Sequence, residues 1–188
     1  MLRIGLYYLN APAFVLLMIV AVAVQTSLFL SYPLDFLQPD ALLLGVLWFG
    51  LRRPFLEGGI LTLILGEIAE VHSSAPRGLF LTTYMSIYLL TRVMNRFVAL
   101  PFHSSLVLLA MAMSMLWKGL SLTFLTSLGL GATQWRHTAA LIFPGAAVQG
   151  LAAYWILRFF AWFDIVTYKD ERARRSMEEQ VYLAEEGF

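Results

Sequence analysis

The sequence contains no cysteine and little charge. The first absence removes disulfides, thiolate metal sites and cysteine nucleophiles together. Charged residues make up 13% of the 188 positions and hydrophobic residues 60%, where soluble domains run near 25% and ~45–50%. A water-soluble fold of this size would have too little polar surface to cover so much apolar side chain. The chain also lacks a charge excess: 13 Lys+Arg against 12 Asp+Glu give a net charge of +1, which predicts no nucleic acid or other polyanionic partner. It has no internal repeat and no low-complexity segment, and it is too short for a large transporter built from two repeated halves. What it does have is a series of long apolar runs, so the solvent for most of the chain is lipid. A soluble enzyme, a disordered tail and a nucleic-acid-binding domain are excluded on that ground.

A helix needs about 20 apolar residues to cross the hydrocarbon at 1.5 Å per residue. Six runs are read at about 12–30, 41–51, 55–71, 78–94, 104–130 and 138–163. They predict an all-α membrane protein, a bundle of six transmembrane helices over residues 1–166, followed by a charged tail at 167–188. The second run is short and stops at Arg52-Arg53-Pro54, so a tilted or half-inserted segment stays open for it. The start does not read as a cleaved signal peptide, because the run after Pro12 is long enough to stay in the membrane.

Alternating the loops puts Arg3, Arg52, Arg53, Arg92, Arg96, Arg158, Lys169, Arg172, Arg174 and Arg175 on one side. The other side receives Arg77 and Arg136, and Lys118 falls inside a span. Ten basic residues against two set the orientation by the positive-inside bias, with both termini cytoplasmic.

Three ionisable residues fall at membrane depth, where an unpaired charge is costly. Glu67 and Glu70, three apart, share one face of the third helix. The helical rise places them about 18–22 Å above its cytoplasmic end, and Lys118 about 21 Å up the fifth helix. A Glu–Lys pair between these helices is therefore expected. It reads either as a structural ion pair or as a proton- or ligand-responsive layer. Glu57, one turn into the third helix beside Arg52 and Arg53, reads as structural, favoured by the helix dipole.

No catalytic constellation emerges, and no metal or cofactor is expected. His72, His103 and His137 fall in three loops, with His103 on the opposite side from the other two. Trp48, Trp135, Trp155 and Trp162 are expected at the membrane interfaces, whereas Trp117, beside Lys118, is expected inside the bundle. In the tail, Lys169, Arg172, Arg174 and Arg175 precede Glu178, Glu179, Glu185 and Glu186. The basic part suits anionic headgroups. Met177, Val181 and Ala184 recur at helical spacing, so the tail reads either as a short amphipathic helix that docks a partner or as a solvated end.

One ordered set of residues goes further. Pro39-Asp40 opens a short apolar helix that ends in Leu51-Arg52-Arg53-Pro54. Glu57-Gly58, Leu65-Gly66, Glu70, Ser73-Ser74 and Pro76-Arg77-Gly78-Leu79 follow in turn. This series resembles the rod-shape-determining MreD family of bacterial inner membranes, with its "PD" helix, basic turn, "EG", "LG…D…SG" and "PLG". The motif positions are Pro39, Asp40, Glu57, Gly58, Gly66, Glu70, Pro76 and Gly78, and the resemblance spans Pro39 to Arg96. The family's acidic residue is usually Asp where this chain has Glu70, and its "SG" reads Ser73-Ser74.

The resemblance implies a non-enzymatic membrane subunit of the cell-elongation complex, associated with the bitopic protein MreC. That complex connects MreB filaments to the wall-building glycosyltransferase and transpeptidase. It also implies a likeness to the substrate-binding subunits of energy-coupling-factor vitamin transporters, which are six-helix membrane proteins of similar size. Two expectations of different class follow: a scaffold for peptidoglycan synthesis, or a subunit that captures a solute in the outer half of the bundle and works with a separate ATPase. A proton-coupled carrier or a lipid-modifying enzyme has only the intramembrane carboxylates behind it.

Overall fold

The structure is a computed structural model that describes residues 2–28, 38–97, 103–129, 135–167 and 169. These residues form six α-helices and no strand: α1 (Leu2–Leu28), α2 (Ala41–Arg52), α3 (Phe55–Val71), α4 (Leu79–Phe97), α5 (His103–Ser127) and α6 (Trp135–Val166). Arg172, Arg174 and Arg175 of the basic tail lie outside the described residues. Three helices contain segments long and apolar enough to cross a membrane: Tyr7–Leu28, Ser105–Ser127 and Leu141–Val166. Their outer faces carry exposed side chains such as Leu16, Val20, Val24, Leu108, Leu151 and Trp155, as a lipid solvent requires. The chain is a multi-pass membrane protein.

α1 begins ten residues ahead of Pro12, which lies inside it on an exposed face. Reading the run from Pro12 treats this proline as a first-turn residue. Instead the apolar residues before it continue the helix, and the ring is accommodated at the surface. Pro144 is likewise inside α6.

The core forms around α2. Its 12 residues span about 18 Å, short of the ~30 Å hydrocarbon layer. Every residue from Ala41 to Gly50 is buried, and α2 touches each of the other five helices. A helix apolar on all sides needs protein or lipid around it, and enclosure by protein lets α2 be shorter than the bilayer. Phe14, Met18, Leu65, Ile87, Tyr88, Leu157 and Phe160 pack into the same core. Phe14 of α1 meets Phe49 at 4.9 Å and Phe160 at 4.7 Å between ring centroids. Trp48 is not an interfacial anchor but a core residue, 3% exposed. Trp155 and Trp162 do face outward.

Because α2 is buried, the polar groups at both of its termini need partners within the protein. At the Arg53 end, Arg92 of α4 donates to the carbonyls of Arg53 at 2.8 Å and Gly50 at 3.3 Å, and Asn95 donates to that of Leu51 at 3.2 Å. At the Asp40 end, the Asp40 carboxylate accepts the Leu43 N–H at 2.9 Å as an N-cap. Gln149 of α6 grips the Asp40 backbone twice, accepting its N–H at 2.7 Å and donating to its carbonyl at 2.8 Å. Gln25 of α1 accepts the Ala41 N–H at 3.1 Å.

Candidate functional site

Two polar assemblies flank α2. The one at the Arg53 end is a network of ion pairs and hydrogen bonds. Arg53 and Asp164 of α6 form an ion pair at 2.6 Å, with side chains only 2% and 6% exposed. Arg53 also donates to the side-chain oxygen of Asn10 at 2.7 Å. The Asn10 amide in turn donates to Asp164 at 3.1 Å and to the Thr167 hydroxyl. The second oxygen of Asp164 accepts the Trp48 indole N–H at 2.9 Å. Glu57 lies 3.0 Å from Lys169 and 3.8 Å from Arg53, and the Lys169 ammonium sits over the Tyr7 ring at 4.1 Å. Side chains from α1, α2, α3 and α6 meet here with opposite charges in contact, an arrangement suited to fixing helix positions.

The assembly at the Asp40 end is open. A cavity of about 330 Å³ lies between the helices there. Asp40, Gln149, Tyr84, Trp117, Lys118 and Ser114 line its deeper part, and Gln25, Gln38, His72 and Ser73 line it from the helix ends. Phe80, Tyr84 and Trp117 make an aromatic wall: Trp117 packs against Tyr84 at 6.3 Å and an interplanar angle of 28°, and against Phe80 at 6.1 Å and 34°. The Tyr84 hydroxyl donates to Asp40 at 2.7 Å. Both carboxylate oxygens of Asp40 are thereby engaged, one by the helix cap and one by this phenol. Lys118 has no carboxylate within 4.0 Å among the described residues and reaches only the Leu141 carbonyl, at 3.5 Å. Gly145 makes room for it, since a Cβ there would strike the ammonium group.

The expected layer of Glu67, Glu70 and Lys118 is therefore divided. Glu67 is on an exposed face of α3. Glu70 turns toward α4 and accepts the backbone N–H groups of Gly78 at 2.8 Å and Leu81 at 3.1 Å. No ion pair among the described residues joins either one to Lys118. Three residues advance a helix by about 300°, leaving the two side chains roughly 60° apart, enough to send one to a neighbouring helix and the other outward. The carboxylate that shares a cavity with Lys118 is that of Asp40.

The motif positions serve the packing of α2, α3 and α4. Asp40 caps α2, and Glu70 caps α4 from the end of α3. A Cβ on Gly58 would lie 2.9 Å from the Tyr88 hydroxyl, and one on Gly66 would lie 3.0 Å from the Leu81 backbone, so both glycines permit α3 and α4 to approach closely. Gly78 has φ +89° at the turn that feeds α4. Arg52 lies over the Trp48 ring at 5.4 Å, and Arg96 is exposed in the last turn of α4. No group of three or more His, Asp or Glu able to hold a metal occurs among the described residues. His72 is exposed and bonds the Ile68 carbonyl of its own helix.

Sequence reasoning passed over Asn10, Gln25, Gln149 and Asp164. Each is a single polar residue in or beside an apolar run, and that isolation was the available signal. Comparison with family models, curated proteins and solved structures finds no match for this chain.

Proposed function

We propose that this chain is a non-enzymatic subunit of the bacterial cell-elongation complex, a six-span protein of the inner membrane with both termini in the cytoplasm. The observation that carries the reading is the structural use of the MreD-like motif. Five of its positions, Asp40, Gly58, Gly66, Glu70 and Gly78, matched only by order and spacing, serve as caps, a turn and close contacts along α2, α3 and α4. A motif used in this way maintains a shape for partners to recognise. The MreD resemblance names the partner as an MreC-like bitopic protein, and through it MreB filaments and the wall-building glycosyltransferase and transpeptidase. The orientation is supported by the basic residues: Arg52, Arg53, Arg92 and Arg96 fall at the ends of α2 and α4, at the same end of the bundle as Lys169.

The test is affinity purification of the tagged full-length chain in a mild detergent, followed by identification of what comes with it. Recovery of an MreC-like protein is expected. A pair of ATPases together with a tightly bound vitamin would overturn the proposal in favour of a solute-capture subunit. Carboxy-terminal fusions check the topology separately: green fluorescent protein should fluoresce, and alkaline phosphatase should be inactive.

A further inference from the structure

We propose that the cavity at the Asp40 end binds a molecule, or the exposed part of one, that carries a single oxyanion group on an apolar body about the size of one ring. The oxyanion, a carboxylate or phosphate, is held by Lys118. This goes beyond the scaffold reading and does not depend on it.

The charge inventory is the starting point. Lys118 is half-buried, lines the cavity and has no carboxylate within 4.0 Å among the described residues. An ammonium group at membrane depth is retained at a cost unless something compensates it. Asp40, the carboxylate that lines the cavity with it, attracts the ammonium from beyond 4.0 Å and is held in place by the Leu43 N–H and the Tyr84 hydroxyl, so no carboxylate contacts Lys118 among the described residues. The Leu141 carbonyl at 3.5 Å is a long contact for a charged donor. The absence of a side chain at Gly145 keeps the space into which the ammonium projects. Trp117 lines the same cavity, and its buried indole N–H has no hydrogen-bond partner. One cation and one unused neutral donor therefore sit beside an aromatic wall of Phe80, Tyr84 and Trp117.

Size and shape narrow the ligand further. About 330 Å³ is at the small end of the ~300–1,000 Å³ typical of small-molecule pockets. It admits a ring and an acid group but not a whole phospholipid, so a lipid would enter by its headgroup alone. A cationic ligand of the same shape would be repelled by Lys118. The two sources of the oxyanion, a soluble organic acid and an anionic lipid headgroup, share this recognition chemistry.

The experiment follows thermal unfolding of the purified full-length chain in dodecylmaltoside by tryptophan fluorescence. Four additives are compared: benzoate, benzylamine as its cationic counterpart, phosphatidylglycerol, and phosphatidylcholine as the zwitterionic control. An additive present at tenfold its dissociation constant should raise the midpoint by about 3–6 °C. Protection by benzoate but not benzylamine supports the site with a soluble acid as occupant. Protection by phosphatidylglycerol but not phosphatidylcholine supports it with a headgroup. In either case Lys118→Met must abolish the shift, and Lys118→Gln serves if the methionine variant is not recovered. The benzoate–benzylamine comparison needs no variant. The proposal is overturned if no anionic probe protects, if benzylamine protects as well as benzoate, or if the Lys118 variants respond like the parent.

Discussion

At the Arg53 end of α2, a guanidinium, two carboxylates, an ammonium, an amide and an indole N–H are drawn into one contact network. At the Asp40 end, a carboxylate, an amide and a phenol secure the helix cap, while an ammonium stands apart beside a cavity. The helix between them is the same, and both termini must be satisfied because α2 is buried. The first end sets its charges against each other. The second satisfies the backbone and leaves Lys118 over. The comparison separates a fastening from a receptacle, and substitutions at the two ends should behave differently.

The largest effects belong to the Arg53 end. Asp164→Leu strips Arg53 of its ion pair and Trp48 of its acceptor, and should cost about 3–5 kcal/mol, the range for removing one partner of a buried pair. Unfolding by titration with sodium dodecyl sulfate measures it. Arg53→Met should cost a similar amount. The double variant Arg53→Met with Asp164→Leu should recover much of the loss, because apolar side chains replace the pair without leaving a lone charge. If the double variant is no better than either single one, the network is not held together by that pair.

Asp40→Ala comes next. It removes the α2 cap, worth about 1 kcal/mol, and leaves the buried Tyr84 hydroxyl without an acceptor, for about 1–3 kcal/mol. A combined loss of about 2–4 kcal/mol is expected in the same titration. Asn caps helices nearly as well as Asp, so Asp40→Asn should lose less than half as much. Equal losses would mean that the charge of Asp40, rather than its hydrogen-bonding geometry, secures this end.

How much of this was legible in the sequence depends on whether the partner of a residue is local. The six helices and their order could be read because apolar runs are local. So could the α2 cap, since Pro39-Asp40 stands directly before an apolar run. The place of Glu70 near the far end of α3 could be read from the helical rise, but its partner could not. Periodicity gives height and face along one helix and does not say which neighbour lies opposite. Hence equal height pairs Glu67 or Glu70 with Lys118, whereas Glu70 meets the start of α4 only eight residues away. The Arg53 network was hidden for the same reason. Asn10 and Asp164 are 154 residues apart, and each taken alone resembles a residue near a membrane surface.

A smaller effect separates the two glutamates at the Asp40 end. Glu70→Ala removes the acceptor for the Gly78 and Leu81 N–H groups and should cost about 1 kcal/mol, the value of a helix cap. Glu67→Ala, on an exposed face, should stay within about 0.5 kcal/mol of the parent. Thermal midpoints of the two variants in one detergent are sufficient to rank them. Equal losses would show that Glu67 has a partner of its own and would restore the paired carboxylate layer.

The smallest effect is the sharpest test of the comparison. Lys118→Met and Arg53→Met make the same change, cation to thioether, at opposite ends of the same helix. The arginine variant abandons a carboxylate that is 6% exposed. The lysine variant abandons only a carbonyl contact at 3.5 Å, and Met fills much the same volume beside Gly145. Losing a cation that contacts no carboxylate removes a desolvation cost and a longer-range attraction to Asp40, but no ion pair. Lys118→Met should therefore fall within about 1 kcal/mol of the parent, in either direction, and neutralising Glu67 or Glu70 in that background should rescue nothing. Measured alongside Arg53→Met in one titration, a loss of similar size at Lys118 would show that it forms a contact ion pair within the chain. The two ends would then be fastenings of one kind, and the cavity would have no free cation to offer a ligand.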